Sequence, residues 1–299
     1  MKKAYGIMPP MITIWREDEA FDEKATINHL NWLIENGITS VSVAGSTGEN
    51  ITMTPEETME ITKILVEAVD KRIPVYPAAG FYSTKTTIEV AQHAEKIGAD
   101  GVLVIPPYYL NPYKDAVMNH YRALRKNTGL NIMLYDNPWF AGYKMTNAEI
   151  VQLVEEGVIN SIKCAHGDVA QVHELKFLCE DKLDVFYGHD YSGIEAILMG
   201  ADGWLTGSQN VFPGLARQLY DAVNEERNIE KAKKIWNRLM PFMNFVMYEK
   251  ENGRPHWLEI FKEALNIMDH KVGEPRKPMG RLTPEKRKNL EKIIEQVLK

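Results

Sequence analysis

Gly98-Ala99-Asp100-Gly101-Val102-Leu103-Val104 ends an amphipathic segment with a glycine and runs directly into an unbroken apolar stretch. Gly37-Ile38-Thr39-Ser40-Val41-Ser42-Val43 and Gly200-Ala201-Asp202-Gly203-Trp204-Leu205-Thr206 repeat that order. A glycine in this place fits the left-handed residue that closes a helix, where a side chain would crowd its own backbone. The apolar run after it suits a strand covered on both faces, as in a parallel sheet with helices packed over it. Working outward, the pattern predicts further strands over 6–13, 73–80, 131–138, 159–165 and 183–190. The eight strands recur at roughly 24–34 residue spacing with helix-patterned segments between them. Strand and helix in alternation imply parallel strands joined by right-handed crossovers. Eight units favour a closed (β/α)8 barrel, the TIM-barrel architecture, over an open doubly wound sheet. No Gly-x-Gly-x-x-Gly follows the first strand, which argues against a dinucleotide fold.

After Pro213 the periodicity becomes helical only, with charged amphipathic segments near 214–226, 229–251, 254–269 and 284–298. The expected organisation is a barrel over 1–213 that carries the catalytic site, with a C-terminal helical extension over 214–299 packed on it. The 299 residues, 44% hydrophobic and 25% charged, have the composition of a globular chain with a large core. A net charge of −6 without a long basic run argues against nucleic-acid binding. No apolar run reaches the roughly 20 residues of a membrane helix, and the N-terminus lacks the apolar core of a signal peptide. The two cysteines, Cys164 and Cys179, make no disulfide framework and suit a reducing compartment, so the expected location is the cytoplasm.

In such a barrel the chemistry belongs at the C-terminal ends of the strands. Lys163 falls in the apolar strand Ile159-Asn160-Ser161-Ile162-Lys163-Cys164-Ala165. By itself it reads as a strand-end lysine that reaches solvent, yet a neutral lysine amine in an apolar site is a nucleophile able to form a Schiff base with a carbonyl. Gly45-Ser46-Thr47-Gly48-Glu49 ends the second strand, where backbone amides and two hydroxyls can hold a carboxylate or simply cap a turn. Pro107-Tyr108-Tyr109 and Tyr135-Asp136-Asn137-Pro138 end the fourth and fifth strands; paired tyrosines and a serine can form a proton relay. Cys164, adjacent to the lysine, is expected to point to the opposite face and pack there. His166, beside Gly167-Asp168, reads as a turn or capping element.

Four of these motifs, together with Gly188-x-Asp190 at the end of the seventh strand, resemble a known family in their order along the whole chain. Gly45-Ser46-Thr47-Gly48-Glu49, Pro107-Tyr108-Tyr109, Tyr135-x-x-Pro138, Ile162-Lys163 with Gly167-Asp168, and Gly188-x-Asp190 are similar to those of the dihydrodipicolinate synthase / N-acetylneuraminate lyase family of Schiff-base-forming (class I) pyruvate aldolases. The resemblance implies a lyase in which Lys163 forms an imine with a 2-keto acid, pyruvate or a derivative, and Tyr135 is the general acid/base. It implies Ser46 as the relay hydroxyl, and Tyr109 completing the relay in a neighbouring subunit of a homotetramer built as a dimer of dimers. Thr47, Gly48, Gly188, Asp190, Leu205 and Trp139 are the expected substrate-binding positions. Neither a metal nor a cofactor is expected beyond the covalent imine; the partners are the 2-keto acid and an aldehyde.

The sub-family stays open. Synthases of the lysine precursor usually carry an arginine shortly after Tyr-Asn-x-Pro, where this chain has Trp139-Phe140-Ala141-Gly142. Sialic acid lyases share the Gly-Ser-Thr-Gly-Glu turn but typically have a threonine where Ala165 stands and an Asp-Glu pair where Asp190-Tyr191 stands. Asp136 follows the tyrosine in place of the common asparagine, as in some hydratase-aldolases of aromatic substrates. The alternatives are therefore the synthase proper, a 2-keto-3-deoxy sugar acid aldolase or dehydratase, and an aromatic hydratase-aldolase. Outside the class stand a non-catalytic keto-acid-binding paralogue and a metal-dependent barrel enzyme. The eight histidines include no His-x-His pair, and only His166 and His189 lie near predicted strand ends.

Overall fold

The computed structural model describes residues 2–251, 254–255 and 257–299. All eight expected strands are present: β1 (Gly6–Ile7), β2 (Val41–Val43), β3 (Val75–Pro77), β4 (Gly101–Val104), β5 (Asn131–Asp136), β6 (Ser161–Cys164), β7 (Asp184–Tyr187) and β8 (Gly203–Trp204). Parallel pairing runs continuously from β4 through β5, β6, β7 and β8 to β1, and β2 pairs with β3. Two narrower seams close the ring. Ser42 N donates to Pro9 O at 3.1 Å and Met11 N to Ser42 O at 2.8 Å, joining β1 to β2. Asp100 N donates to Val75 O and Ala79 N to Leu103 O, each at 3.0 Å, joining β3 to β4. The result is the expected (β/α)8 barrel.

Gly37, Gly98 and Gly200 have φ of +89°, +86° and +95°, as the repeated helix-to-strand pattern predicts. Alternate residues of each strand face opposite sides. Outward-facing Val102, Val104, Ile132, Leu134, Ile162 and Val185 pack under the helices, whereas Met8, Tyr76, Leu103, Met133, Phe186 and Leu205 fill the barrel. A Cβ on Gly203 would lie 2.3 Å from the Phe186 ring, so that close approach requires a glycine. Strong caps start several helices: Thr54 and Glu57 form a reciprocal capping box, as do Thr146 and Glu149.

The helix Pro213–Asn224 follows β8, and its Tyr220 Oη donates to Asp202 O at 3.1 Å. Three helices come after it: Ile229–Tyr248, Trp257–Ile267 and Pro284–Leu298. The expectation of helix over 229–251 and 254–269 is corrected at one joint. The first helix ends at Tyr248, Glu249 takes an extended backbone, and Lys250–Glu251 pairs antiparallel with Arg254–Pro255. A proline at 255 disfavours helical backbone in the residue before it, which keeps the two helices separate. Residues 252 and 253, and His256, within or between those expected spans, lie outside the described residues. Among the described residues no helix is long and apolar enough to cross a membrane.

Candidate active site

Register sets the centre of the site. Tyr135 on β5 pairs with Lys163 on β6, which pairs with Phe186 on β7. The alternation that turns Ile132, Leu134, Ile162 and Cys164 outward turns Tyr135 and Lys163 into the barrel mouth. Lys163 is 6% exposed, and its Nζ lies 4.1 Å from the centroid of the Tyr135 ring. Asn137, next on the inward face, donates from Nδ2 to Tyr135 Oη at 2.9 Å. Gly188, just past β7, leaves room for the lysine stem: a Cβ there would lie 2.6 Å from Lys163 Cε and 2.7 Å from its Cγ.

These groups line a cavity of about 400 Å³. The loops after the strands supply Ser46 and Thr47, Trp139 and Phe140, Ala165, His189 and Asp190, and Thr206 and Gly207. The extension adds Val246, Met247, Trp257 and Phe261. A second space of about 240 Å³ shares Ser46, Phe140 and Trp257 with the first and reaches Tyr108, Ile105 and Ile51. A larger depression lined by Arg16, Phe21, Asp22, Ile27 and Glu60 contains none of the expected site residues.

The turn over 45–49 is closed by Glu49 N donating to Ser46 O and Asn50 N to Gly45 O, each at 3.1 Å. Among the described residues the Ser46 and Thr47 amides enter no such turn bond, and both residues lie on the cavity wall. A Cβ on Gly48 would press to 3.1 Å from Met11 O, so the turn lies against the loop after β1. The buried Glu49 carboxylate accepts from Lys262 Nζ at 2.6 Å and from Arg276 N at 2.7 Å, tying the turn to the extension. Burial pushes the Lys262 pKa down, against the pull of Glu49.

Of the expected site residues, the fold brings Lys163, Tyr135, Ser46, Thr47, Gly188, Asp190 and Trp139 onto one cavity. Gly48 and Leu205 are buried and do not line it, Leu205 lying inside the barrel. Tyr109 is away from it: the residue is 87% exposed with φ of +82°. Asp190 Oδ1 accepts from Ser208 N at 3.0 Å, bracing the loop after β8. Asp136 is buried beside His166, Oδ2 to Nε2 at 3.3 Å, and His166 Nε2 is also 2.6 Å from Gln171 Oε1. His166 is thus part of a buried polar cluster; Asp168 caps the next helix, accepting from Ala170 N at 3.1 Å. Cys164 points outward as expected, and burial pushes its thiol pKa well up. Asn137 is a cavity residue absent from the expected set, although two-residue parity from Tyr135 marks it. The four positions from the extension carry no such signal. Among the described residues no group of three or more His, Cys, Asp or Glu could hold a metal ion.

The chain matches the model of the dihydrodipicolinate synthetase family over residues 3–297. It is 32% identical over 289 residues to the 4-hydroxy-tetrahydrodipicolinate synthase of Thermodesulfovibrio yellowstonii, covering 97% of each chain. Its fold is similar to the 4-hydroxy-tetrahydrodipicolinate synthase of Methylacidiphilum fumariolicum SolV (TM-score 0.91, 29% identity, 99% of this chain and 96% of that one). It is likewise similar to a prophage protein of the dihydrodipicolinic acid synthase family from E. coli K12, solved with pyruvate (TM-score 0.92, 26% identity, 98% of each chain). With the family match spanning nearly the whole chain, the protein belongs to the dihydrodipicolinate synthetase family of Schiff-base-forming pyruvate aldolases and is a lyase.

Proposed function

We propose that this protein joins pyruvate, or a 2-keto acid derived from it, to an aldehyde, or cleaves the product, through an imine on Lys163. The observation that carries this reading is the buried Lys163 amine held 4.1 Å from the Tyr135 ring centroid at the wall of a cavity. An imine draws electrons from the adjacent carbon, so that carbon loses a proton and becomes a nucleophile. Tyr135, hydrogen-bonded to Asn137, moves protons to and from the reacting groups. The Ser46 and Thr47 amides, with Gly48 shaping their turn, hold the keto acid carboxylate, and Ser46 Oγ passes protons to and from Tyr135. Gly188 and Asp190 shape the wall beside β7, and Leu205 supports the site from inside the barrel. The barrel over 1–213 carries the chemistry and the extension over 214–299 closes the cavity. The imine chemistry calls for no metal or cofactor.

Tyr109 completes the relay from a neighbouring subunit. Its exposure on a loop with Leu110 and Tyr113, also exposed, fits a contact between copies in a homotetramer built as a dimer of dimers. The assembly works in the cytoplasm. Incubation with pyruvate and borohydride should leave a reduced adduct on Lys163, located by peptide mass spectrometry. An unmodified Lys163 would sink the proposal.

A further inference from the structure

We infer that Asn137 is a positioning residue: it fixes the direction in which the Tyr135 phenol gives its proton. The inference rests on the imine reading above and adds a residue to its acid/base step. Position 137 is one of the two unspecified residues in Tyr135-x-x-Pro138. Asn137 follows β5, precedes the single helical turn Pro138–Ala141, and is buried. Its backbone is held from both sides. Ala165 N donates to Asp136 O at 3.0 Å, and Ala141 N donates to Asn137 O at 2.9 Å. Pro138 opens the turn with a preset φ, and Gly142 closes it at φ of +66°, its N donating to Pro138 O at 2.9 Å.

The partners of the side-chain amide set its orientation. Asn137 Oδ1 accepts from Phe140 N at 3.3 Å, a donor that Asn137 O shares at 3.2 Å. Turning the amide over would set Nδ2 against that N–H, donor facing donor. Oδ1 therefore stays on the turn, and Nδ2 is the group 2.9 Å from Tyr135 Oη. An amide nitrogen donates and does not accept, so Tyr135 Oη is the acceptor of this bond. The phenol's own proton is then not tied to Asn137. Tyr135 and Asn137 line the cavity together with Lys163 and Ser46, where that proton serves the reacting groups. Once it is given up, the bond from Asn137 remains and strengthens, because its acceptor has become an anion.

The proton transfers balance without an oxidant or reductant. Lys163 Nζ adds to the carbonyl carbon of pyruvate, and Tyr135 gives its proton to the hydroxyl that departs as water. This leaves a protonated imine and a phenolate that Asn137 Nδ2 holds. The phenolate then takes a proton from C3, which yields the neutral enamine and restores the phenol. Return of a proton from solvent to C3 reverses the last step. In D2O the methyl protons of pyruvate are therefore replaced by deuterium, with no second substrate present.

The test uses the full-length protein, Asn137→Ser and Asn137→Asp with pyruvate in D2O at about pH 8, where a carboxyl is ionised. Asn, Ser and Asp cap a helical turn about equally, so both variants keep the bond to Phe140 N. Serine is too short to reach Tyr135 Oη, whereas an aspartate oxygen accepts the phenol's proton and reverses the bond. Proton NMR reads exchange at C3, and borohydride trapping with peptide mass spectrometry reads the imine on Lys163. Exchange should fall about tenfold or more in Asn137→Ser, within the 10²–10⁴ that general acid–base catalysis supplies, and further in Asn137→Asp. Pyruvate should still be trapped in both. Capping alone predicts equal exchange in all three proteins. Circular dichroism reports folding; should one variant fail to fold, the tenfold loss in the other decides. A smaller loss in a folded variant, faster exchange in Asn137→Asp than in Asn137→Ser, loss of trapping in a variant, or failure of both to fold overturns the inference and leaves the imine intact. So does a wild-type protein that traps pyruvate without exchanging C3. Failure of borohydride to trap pyruvate on Lys163 of the wild type overturns the imine reading and this inference with it.

Discussion

Gly188 and Lys163 lie so close that a single methyl group on the glycine would overlap the lysine: its Cβ would be 2.6 Å from Lys163 Cε. The lysine stem crosses the barrel mouth past the bare backbone of the neighbouring strand, and Gly188 N is itself fixed to Cys164 O at 2.7 Å.

Gly188→Ala should displace Lys163 and lower kcat/KM by about a hundredfold, since misplacing a reacting group by an ångström costs on that order. Overpacking of this kind also costs about 1–3 kcal/mol of stability. Borohydride trapping and thermal denaturation on the same preparation separate the two effects. A folded variant that traps pyruvate at the wild-type rate would show that the lysine tolerates the methyl group.

Tyr135→Phe keeps the ring beside Lys163 Nζ and removes the hydroxyl that Asn137 holds. The expected result is a loss of about 10²–10⁴ in kcat with pyruvate still trapped on Lys163. Steady-state kinetics alongside adduct mass spectrometry make the comparison, and a kcat close to wild type contradicts the assigned role.

Glu49 and Lys262 form a buried pair, Oε1 to Nζ at 2.6 Å, between the turn after β2 and the extension. Lys262→Met leaves the Glu49 carboxylate buried without its cation and should cost about 3–5 kcal/mol. Adding Glu49→Gln to that variant should recover part of the loss, because no unpaired charge is then buried. Urea unfolding of the two single variants and the double variant reads the coupling directly; additive losses would mean that the two residues act independently.

Acid should weaken the fold through two buried histidines. Burial and the neighbouring His270 hold the pKa of His29 down to about 3, and burial holds that of His120 down to about 4. Asn210 Nδ2 donates to Pro10 O and Gly207 O, so its Oδ1 accepts from His29 Nε2–H, and His29 Nδ1 faces His270 Nε2 at 2.9 Å. Both histidines stay neutral in the fold, whereas the unfolded chain takes up protons as pH falls below about 6.5. The unfolded state then binds more protons, and stability falls from about pH 6.5 downward at about 1.4 kcal/mol per pH unit for each histidine. The fall ends where each folded-state histidine itself takes up a proton. His29→Asn should flatten the drop in urea midpoint between about pH 6.5 and 4.5; an unchanged slope would acquit His29.

Much of this molecule was legible because its rules are local. A glycine that ends a helix does so through its own φ, so the phrases at Gly37, Gly98 and Gly200 marked three helix-to-strand joints without any knowledge of their neighbours. Two-residue alternation likewise turned Cys164 away from the face that Lys163 occupies. Asn137 obeys the same parity, and only its bond to Tyr135 Oη made it part of the site.

By itself, then, the sequence determined the eight β/α units, the barrel they close into, and Lys163 and Tyr135 as inward residues near strand ends. Their pairing across β5 and β6 depended on register, which no local pattern specifies. The tertiary structure alone brought Val246, Met247, Trp257 and Phe261 over the barrel mouth and left Tyr109 outside its own chain's cavity. The reason is physical: apolar spacing along a helix says that one face will be buried, but what it is buried against is decided by long-range packing.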